Sequence, residues 1–412
     1  MKILGIESSC DETAAAVVEN GQRLISNVVN SQIDIHSAFG GVVPEVAARS
    51  HLEVVLPVID QAVKEAYLAC HSGFGSESGD IQDDKILEAA WGEIDAIACT
   101  TMPGLIGSLL IGSLTARTLA LLKNKPFYPI HHVEAHVYAN FLKNESADAN
   151  CLRPQDRILR LGSCGENSEK EADDNSREIL KQVQNDKMRF PMLALIVSGG
   201  HSQIVLFRDH GDYELIGQTQ DDAVGEAFDK VAKILGLPYP GGPSVSKCAE
   251  SGDPQKYHFP KAKMAGKYDF SFSGLKTAVL RAVQSECDKD HTFPSSGLAD
   301  LLNDTQRRDF AASFQRIAIE TLVDKVVAAF NEFAPKSVVV AGGVAANQEL
   351  RRQLTERLPI APHFPAPEFC TDNAAMVATL GYYVAQNVAP TDPRDVEITP
   401  SISMTKTAWN LK

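Results

Sequence analysis

Short apolar runs, each closed by a polar or glycine-rich loop, recur along the chain. "KILGIE" (2–7) and "AAAVVE" (14–19) read as buried strands joined by the polar loop "SSCDET". "PMLALIVSGGHSQIVLF" (191–207) has the same plan of strand, short loop and strand. A second pair of likenesses follows. "IDAIACTTMPG" (94–104) is a strand that enters a glycine-containing loop and leads into the helical "LIGSLLIGSLTARTLALL"; "KSVVVAGGVAANQELRRQL" (336–354) repeats that order. The doubled pattern predicts two related α/β lobes. Residues 1–141 form the first lobe, and residues 190–375 form a nucleotide-binding second lobe. A helix and tail over 376–412 are expected to return to the first lobe. Two polar stretches, 70–85 and 142–189, read as solvated insertions, the longer with one short helix near 176–184.

Composition agrees with this division. A chain of 412 residues with 44% hydrophobic and 22% charged positions has enough apolar material for two cores. The most membrane-like stretch, 104–122, is interrupted by Ser108, Ser113, Thr115 and Arg117 and reads as a buried helix rather than a span. The N-terminus turns acidic at Asp11 and does not read as a signal peptide. None of the eight cysteines (10, 70, 99, 151, 164, 248, 287 and 370) belongs to a CxxC pair, so reduced thiols in a cytoplasm are expected. Net charge is −14, which argues against nucleic-acid binding by the chain's overall charge and points to a local basic strip or a basic partner if such binding occurs.

Chemistry concentrates in a few stretches. "HHVEAHVYANFL" follows Pro129, and on a helix His132 and His136 share one face, a spacing suited to one metal ion or to a structural hydrogen-bond network. Zincin proteases place their glutamate directly after the first histidine; here Glu134 is two positions on, rotated away from the histidine face. The loops "VSGGHS" (197–202), "YPGGPSVSK" (239–247) and "GGVAANQELR" (342–351) each adjoin a strand or helix end, and together fit a nucleotide pocket. Asp11 and Glu12 lie in the first hairpin loop. Asp229 reads as the solvated face of a helix over 226–235 closed by Gly236. Asp372 reads locally as one of three possible helix caps, with Thr371 and Asn373.

Taken together, "GIESSCDETAAAVV", "HSAFGGVVPEVAARSH", "TTMPGLIGSLLIG", "HHVEAH", "LIVSGGHSQIV", "GEAFDKVAKILGLPYPGGP", "FSFSGLKTAV", "AGGVAAN" and "CTDNAAM" resemble the tRNA N6-adenosine threonylcarbamoyltransferases, formerly called O-sialoglycoprotein endopeptidases. The likeness spans nearly the whole chain except 70–85 and 142–189. It implies a two-lobed actin/Hsp70/sugar-kinase-like (ASKHA) α/β fold, each lobe a ribonuclease-H-like core, with the ligand between them. It implies one divalent ion, iron or zinc, on His132, His136 and Asp372. It places Ile196, Val197, Ser198, Gly199 and Gly200 at the phosphate and acyl region, and Asp229, Gly242 and Asn347 at adenosine. One departure is Ser246, where many relatives carry an acid for the ribose hydroxyls.

The reaction so implied is acyl transfer from L-threonylcarbamoyl-adenylate to N6 of adenine 37 in tRNAs reading codons that start with A, with Asp11 or Glu12 as candidate base. The resemblance also implies two partners, a degenerate (TsaB-like) paralogue of the same fold and a P-loop (TsaE-like) ATPase, and no membrane. A metalloprotease and a small-molecule kinase on the same fold are the rival readings.

Overall fold

The computed structural model describes residues 1–71, 80–143, 188–406 and 409; the expected helix near 176–184 lies outside them, with 144–187 of the longer insertion and 72–79 of the shorter, whose residues 80–85 begin a helix instead. Strands β1 (Lys2–Glu7), β2 (Glu12–Glu19) and β3 (Arg23–Ser31) form an antiparallel meander, in which β1 pairs with β2 from Lys2↔Glu19 to Glu7↔Ala14. Strands β4 (Ala96–Met102) and β5 (Phe127–His131) add in parallel, giving the order β3-β2-β1-β4-β5. The second sheet repeats the scheme with β6 (Met192–Val197), β7 (Ser202–Asp209), β8 (Asp212–Gln218) and a parallel β9 (Ser337–Ala341), in the order β8-β7-β6-β9. The twice-used plan legible in the sequence is therefore two sheets of one design.

Among the described residues the helices in chain order are α1 (Ile33–Ser37), α2 (Pro44–Cys70), α3 (Asp80–Glu93), α4 (Ile106–Leu122), α5 (His132–Tyr138), α6 (Val224–Leu235), α7 (Gly241–Ala249), α8 (Ser273–Glu286), α9 (Asp304–Phe333), α10 (Gln348–Arg357) and α11 (Ala374–Asn387). Because strand side chains alternate, each central strand feeds two cores. Leu4 and Ile6 face α2 and α4, while Ile3 faces inward. Leu193, Leu195 and Val197 pack under α6 and α9, while Met192, Ala194 and Ile196 face inward. The inner layer is shared: α5 packs on β6 and β9 of the second sheet, and α11 packs on β1, β2 and β4 of the first. The lobes are thus joined through a common apolar layer, and the loops at the carboxyl ends of β1, β4, β5, β6 and β9 open toward one crevice, the usual ligand position in α/β sheets. No described helix is long and apolar enough to cross a membrane.

Candidate metal centre and interlobe cleft

The crevice is a cleft of about 1750 Å³ whose lining includes Ser9 to Glu12, His132, Ser198 to His201, Asp229, Gly242, Asn347 and Asp372. His132 and His136 begin and end one turn of α5, which is buried throughout because it sits between the two sheets. Their rings lie 4.7 Å apart, centre to centre. Asp372 arrives from the second lobe, just before α11. Its expected alternative role is taken by Asn373, whose side chain accepts the Met376 N–H at 3.1 Å and caps the helix, leaving the Asp372 carboxylate free to face α5. Asp372 Oδ1 lies 3.5 Å from His132 Nε2 and 3.3 Å from His136 Nε2, and one ligand atom from each of the three residues falls within 4.8 Å of the others.

These residues fit a divalent transition ion. Two imidazole nitrogens and a carboxylate oxygen converge, and neither ring nitrogen of buried His136 makes a hydrogen bond. Sequence reasoning missed the support behind His132. Its Nδ1 lies 3.1 Å from Glu7 Oε2 and 3.1 Å from Ser9 Oγ. Glu7 is fully buried and also accepts the Ser9 N–H (2.6 Å) and the Thr100 hydroxyl (2.6 Å). A carboxylate on Nδ1 fixes the tautomer that turns the Nε2 lone pair toward the site. Burial pushes the Glu7 carboxyl up, but the His132 charge and hydrogen bond outweigh it and hold the group below its ordinary value. Burial alone would lower His132; Asp372 and Glu7 reverse this and carry it up to about 9. Asp372 is held well below the carboxylate range, because the neighbouring imidazoles outweigh burial.

The glycine loop divides differently from expectation. Ile196 and Val197 do not line the cleft: both side chains are fully buried in β6, one in each core, because a strand covered on both faces has no free side. Ser198, Gly199 and Gly200 do line it, but the Ser198 N–H is already bonded to the His201 carbonyl at 2.8 Å. A Cβ built on Gly199, Gly200 or Gly242 would meet no protein atom within 4 Å, so these backbones face open cleft. Gly342 is constrained instead, with φ +89° and a position where a Cβ would lie 2.4 Å from the Val197 carbonyl oxygen. His201, in the same loop, also lines the cleft; burial first, then the nearby His132 and His136 charges, lower it to about 4, so it is a neutral imidazole there.

At the other end, Asp229 is not on a solvated face. It accepts the Gly241 N–H at 2.7 Å across the cis Tyr239–Pro240 turn, and burial raises its carboxyl. The Asn347 amide is largely occupied: Nδ2 donates to Ser246 Oγ and Gln315 Oε1, both at 2.9 Å, and Oδ1 caps α10 through the Leu350 N–H. A ligand here meets its spare acceptor lone pair. Ser246, donating to the Gly242 carbonyl, shares this network in place of an acid. Asp11 and Glu12 both line the cleft, Glu12 as the first residue of β2 rather than in the loop. Burial, with the charges of Asp372 and Asp11, pushes the Glu12 carboxyl up. Glu134 turns away from the cleft, as its offset predicts: its oxygens meet Tyr213 and Trp409.

A family model described as TsaD: tRNA N6-adenosine threonylcarbamoyltransferase matches residues 23–72, 84–152 and 178–379. A protein of that name from Thermomicrobium roseum is 42% identical over 393 residues, covering 94% of this chain and 92% of the relative. One from Symbiobacterium thermophilum is 43% identical over 385 residues, covering 93% and 91%, and one from Dehalococcoides mccartyi is 40% identical over 405 residues, covering 98% and 100%. Among solved structures, full-length HypF aligns with TM-score 0.48 at 11% identity, over 95% of this chain and 47% of that one. A ROK hexokinase from Thermus thermophilus aligns with TM-score 0.39 at 16% identity, over 94% and 100%.

Proposed function

This chain belongs to the tRNA N6-adenosine threonylcarbamoyltransferase family, and from that premise we propose how its cleft performs the transfer. The enzyme is an acyltransferase that moves a threonylcarbamoyl group onto N6 of adenine in tRNA. The donor is threonylcarbamoyl-adenylate and the acceptor is adenine 37 of tRNAs reading codons that begin with A. The N6 nitrogen attacks the carbamoyl carbon, the bond from that carbon to the phosphate oxygen breaks, AMP leaves, and the amine loses a proton.

The observation that carries the reading is the meeting of His132, His136 and Asp372 at one end of a cleft whose glycine loop lies beside them. An iron or zinc ion held by those three residues would supply Lewis acidity toward the acyl donor. Gly199 and Gly200 line the cleft, and their lack of side chains lets the phosphate approach the backbone. Asp229, Gly242 and the spare lone pair of Asn347 receive the adenosine. Asp11 or Glu12, both on the cleft wall, takes the amine proton. The metalloprotease reading lacks its base, since Glu134 is committed to Tyr213 and Trp409.

With net charge −14, the chain is a poor source of cations for tRNA, so a composite surface with partners holds it in the cytoplasm. A paralogue of the same fold fits the apolar stripe of Leu52 and Leu56 on α2 with Ile106, Leu110 and Leu114 on the adjoining α4, all exposed. A P-loop ATPase completes the set. The test is nucleoside mass spectrometry of tRNA incubated with the chain, both partners, threonine, bicarbonate and ATP. The parent should form the modified adenosine, and a variant with both His132→Ala and His136→Ala should form none. Full activity in that variant removes the metal centre from the reaction.

A further inference from the structure

The end of the chain builds part of the cleft. Residues 399–404 cross its metal end as a strap held at several points. The Thr399 N–H donates to the Thr101 carbonyl and the Gly104 N–H donates to the Pro400 carbonyl, both at 3.1 Å. The Ile402 carbonyl lies 3.3 Å from His131 Nε2, one residue from the metal-site His132. The Tyr213 hydroxyl, on β8 of the other lobe, lies 2.7 Å from the Met404 carbonyl and 3.0 Å from Glu134 Oε2. Farther on, Trp409 Nε1–H donates to Glu134 Oε1 at 2.6 Å. Its indole lies over Gly211, where a Cβ would come within 2.4 Å of the ring. The strap is therefore fixed to both lobes, and Glu134, the acid of the histidine motif that the transfer does not use, is part of the fastening.

Pro400, Ser401 and Ile402 line the cleft together with Gly104 and His132. We propose that Ser401 and Ile402 form the wall against which the amino-acid part of the acyl donor packs, and that they help the enzyme choose threonine. This rests on the acyl-transfer reading above. The distinguishing features of a threonyl group are one methyl and one hydroxyl. Ile402 offers apolar surface to the first, and Ser401 offers a hydroxyl partner to the second. Trp409 lies outside the cleft lining and is a positioning residue, holding the strap through Glu134 and Gly211.

Single-turnover transfer to tRNA by the full chain with its partners tests this, using threonylcarbamoyl-adenylate and its glycyl analogue, which lacks both groups. Ile402→Ala should lower the threonyl-to-glycyl ratio of kcat/KM about tenfold, the scale of one misplaced apolar contact, with KM for tRNA unchanged. Ser401→Ala should lower it too. Trp409→Ala should lower it partially, and Trp409→Phe, which refills the seat over Gly211, should recover it; a purely structural strap would change rate or stability without moving the ratio. Parent-like ratios in both Ile402→Ala and Ser401→Ala overturn the proposal. A parent enzyme that transfers neither acyl group refutes the acyl-transfer reading itself, and the strap's role in acyl choice with it.

Discussion

Replacing Glu7 by glutamine changes one atom pair in a fully buried carboxylate, yet the hydrogen-bond directions around it predict a large effect on metal affinity. Glu7 Oε1 accepts the Ser9 backbone N–H, a donor that cannot reverse. Oε2 meets the Thr100 hydroxyl, which can rotate, and His132 Nδ1. In Glu7→Gln the amide oxygen must therefore stay on Ser9, and the NH2 group falls against Thr100 and His132. His132 Nδ1 then becomes an acceptor, the ring proton moves to Nε2, and the nitrogen that faces Asp372 loses the lone pair a cation needs. Loss of such a support lowers metal affinity by about 10–100-fold, or about 1.4–2.7 kcal/mol. The assay is competition for zinc or iron(II) against a chromophoric chelator, with the stoichiometry of loading read by elemental analysis. Thr100→Val, which removes one donor and keeps the carboxylate, should lose less. A Glu7→Gln protein that binds the ion within about threefold of the parent refutes the argument, since the tautomer would then not be set by residue 7.

Two other outcomes follow from the site. In the metal-free protein His132 is held up to about 9, so loading the ion must expel its proton; affinity should rise about tenfold per pH unit from pH 6 and level off near 9, as isothermal titration in buffers of different ionisation enthalpy will register by proton release. A flat profile over that range contradicts the assigned protonation. Gly342→Ala forces a side chain into positive φ and against the Val197 carbonyl, so it should cost at least about 1–3 kcal/mol and lower the melting temperature. An unchanged melting temperature would show that the β9 turn relaxes freely.

The sequence made the lobes legible because each sheet is written as contiguous apolar runs with loops between them. It made His132 and His136 legible because one helical turn links them. Glu7 was not legible: it ends a strand whose apolar pattern offers no sign that the acid points into a site 125 positions away in sequence. The motif resemblance puts Ile196 and Val197 at the ligand, but a motif does not state which members face inward; a strand buried on both faces hides both side chains. Asp372 reads as a helix cap in its local sequence and as a ligand only through the family resemblance; the structure gives the cap to Asn373. The tail carries no chemical signature, and its place on the cleft depends on contacts with Thr101, His131 and Tyr213, which no local reading joins.

The position of α11 has a consequence for synthesis. The first sheet is complete in sequence once β5 has emerged, but the helix that covers its inner side ends at Asn387. On the ribosome that half of the molecule must wait, with an apolar face open, while more than two hundred further residues are made. Asp372 is delivered two residues ahead of the covering helix, so the nascent chain completes its candidate metal site only as its first lobe can finally close.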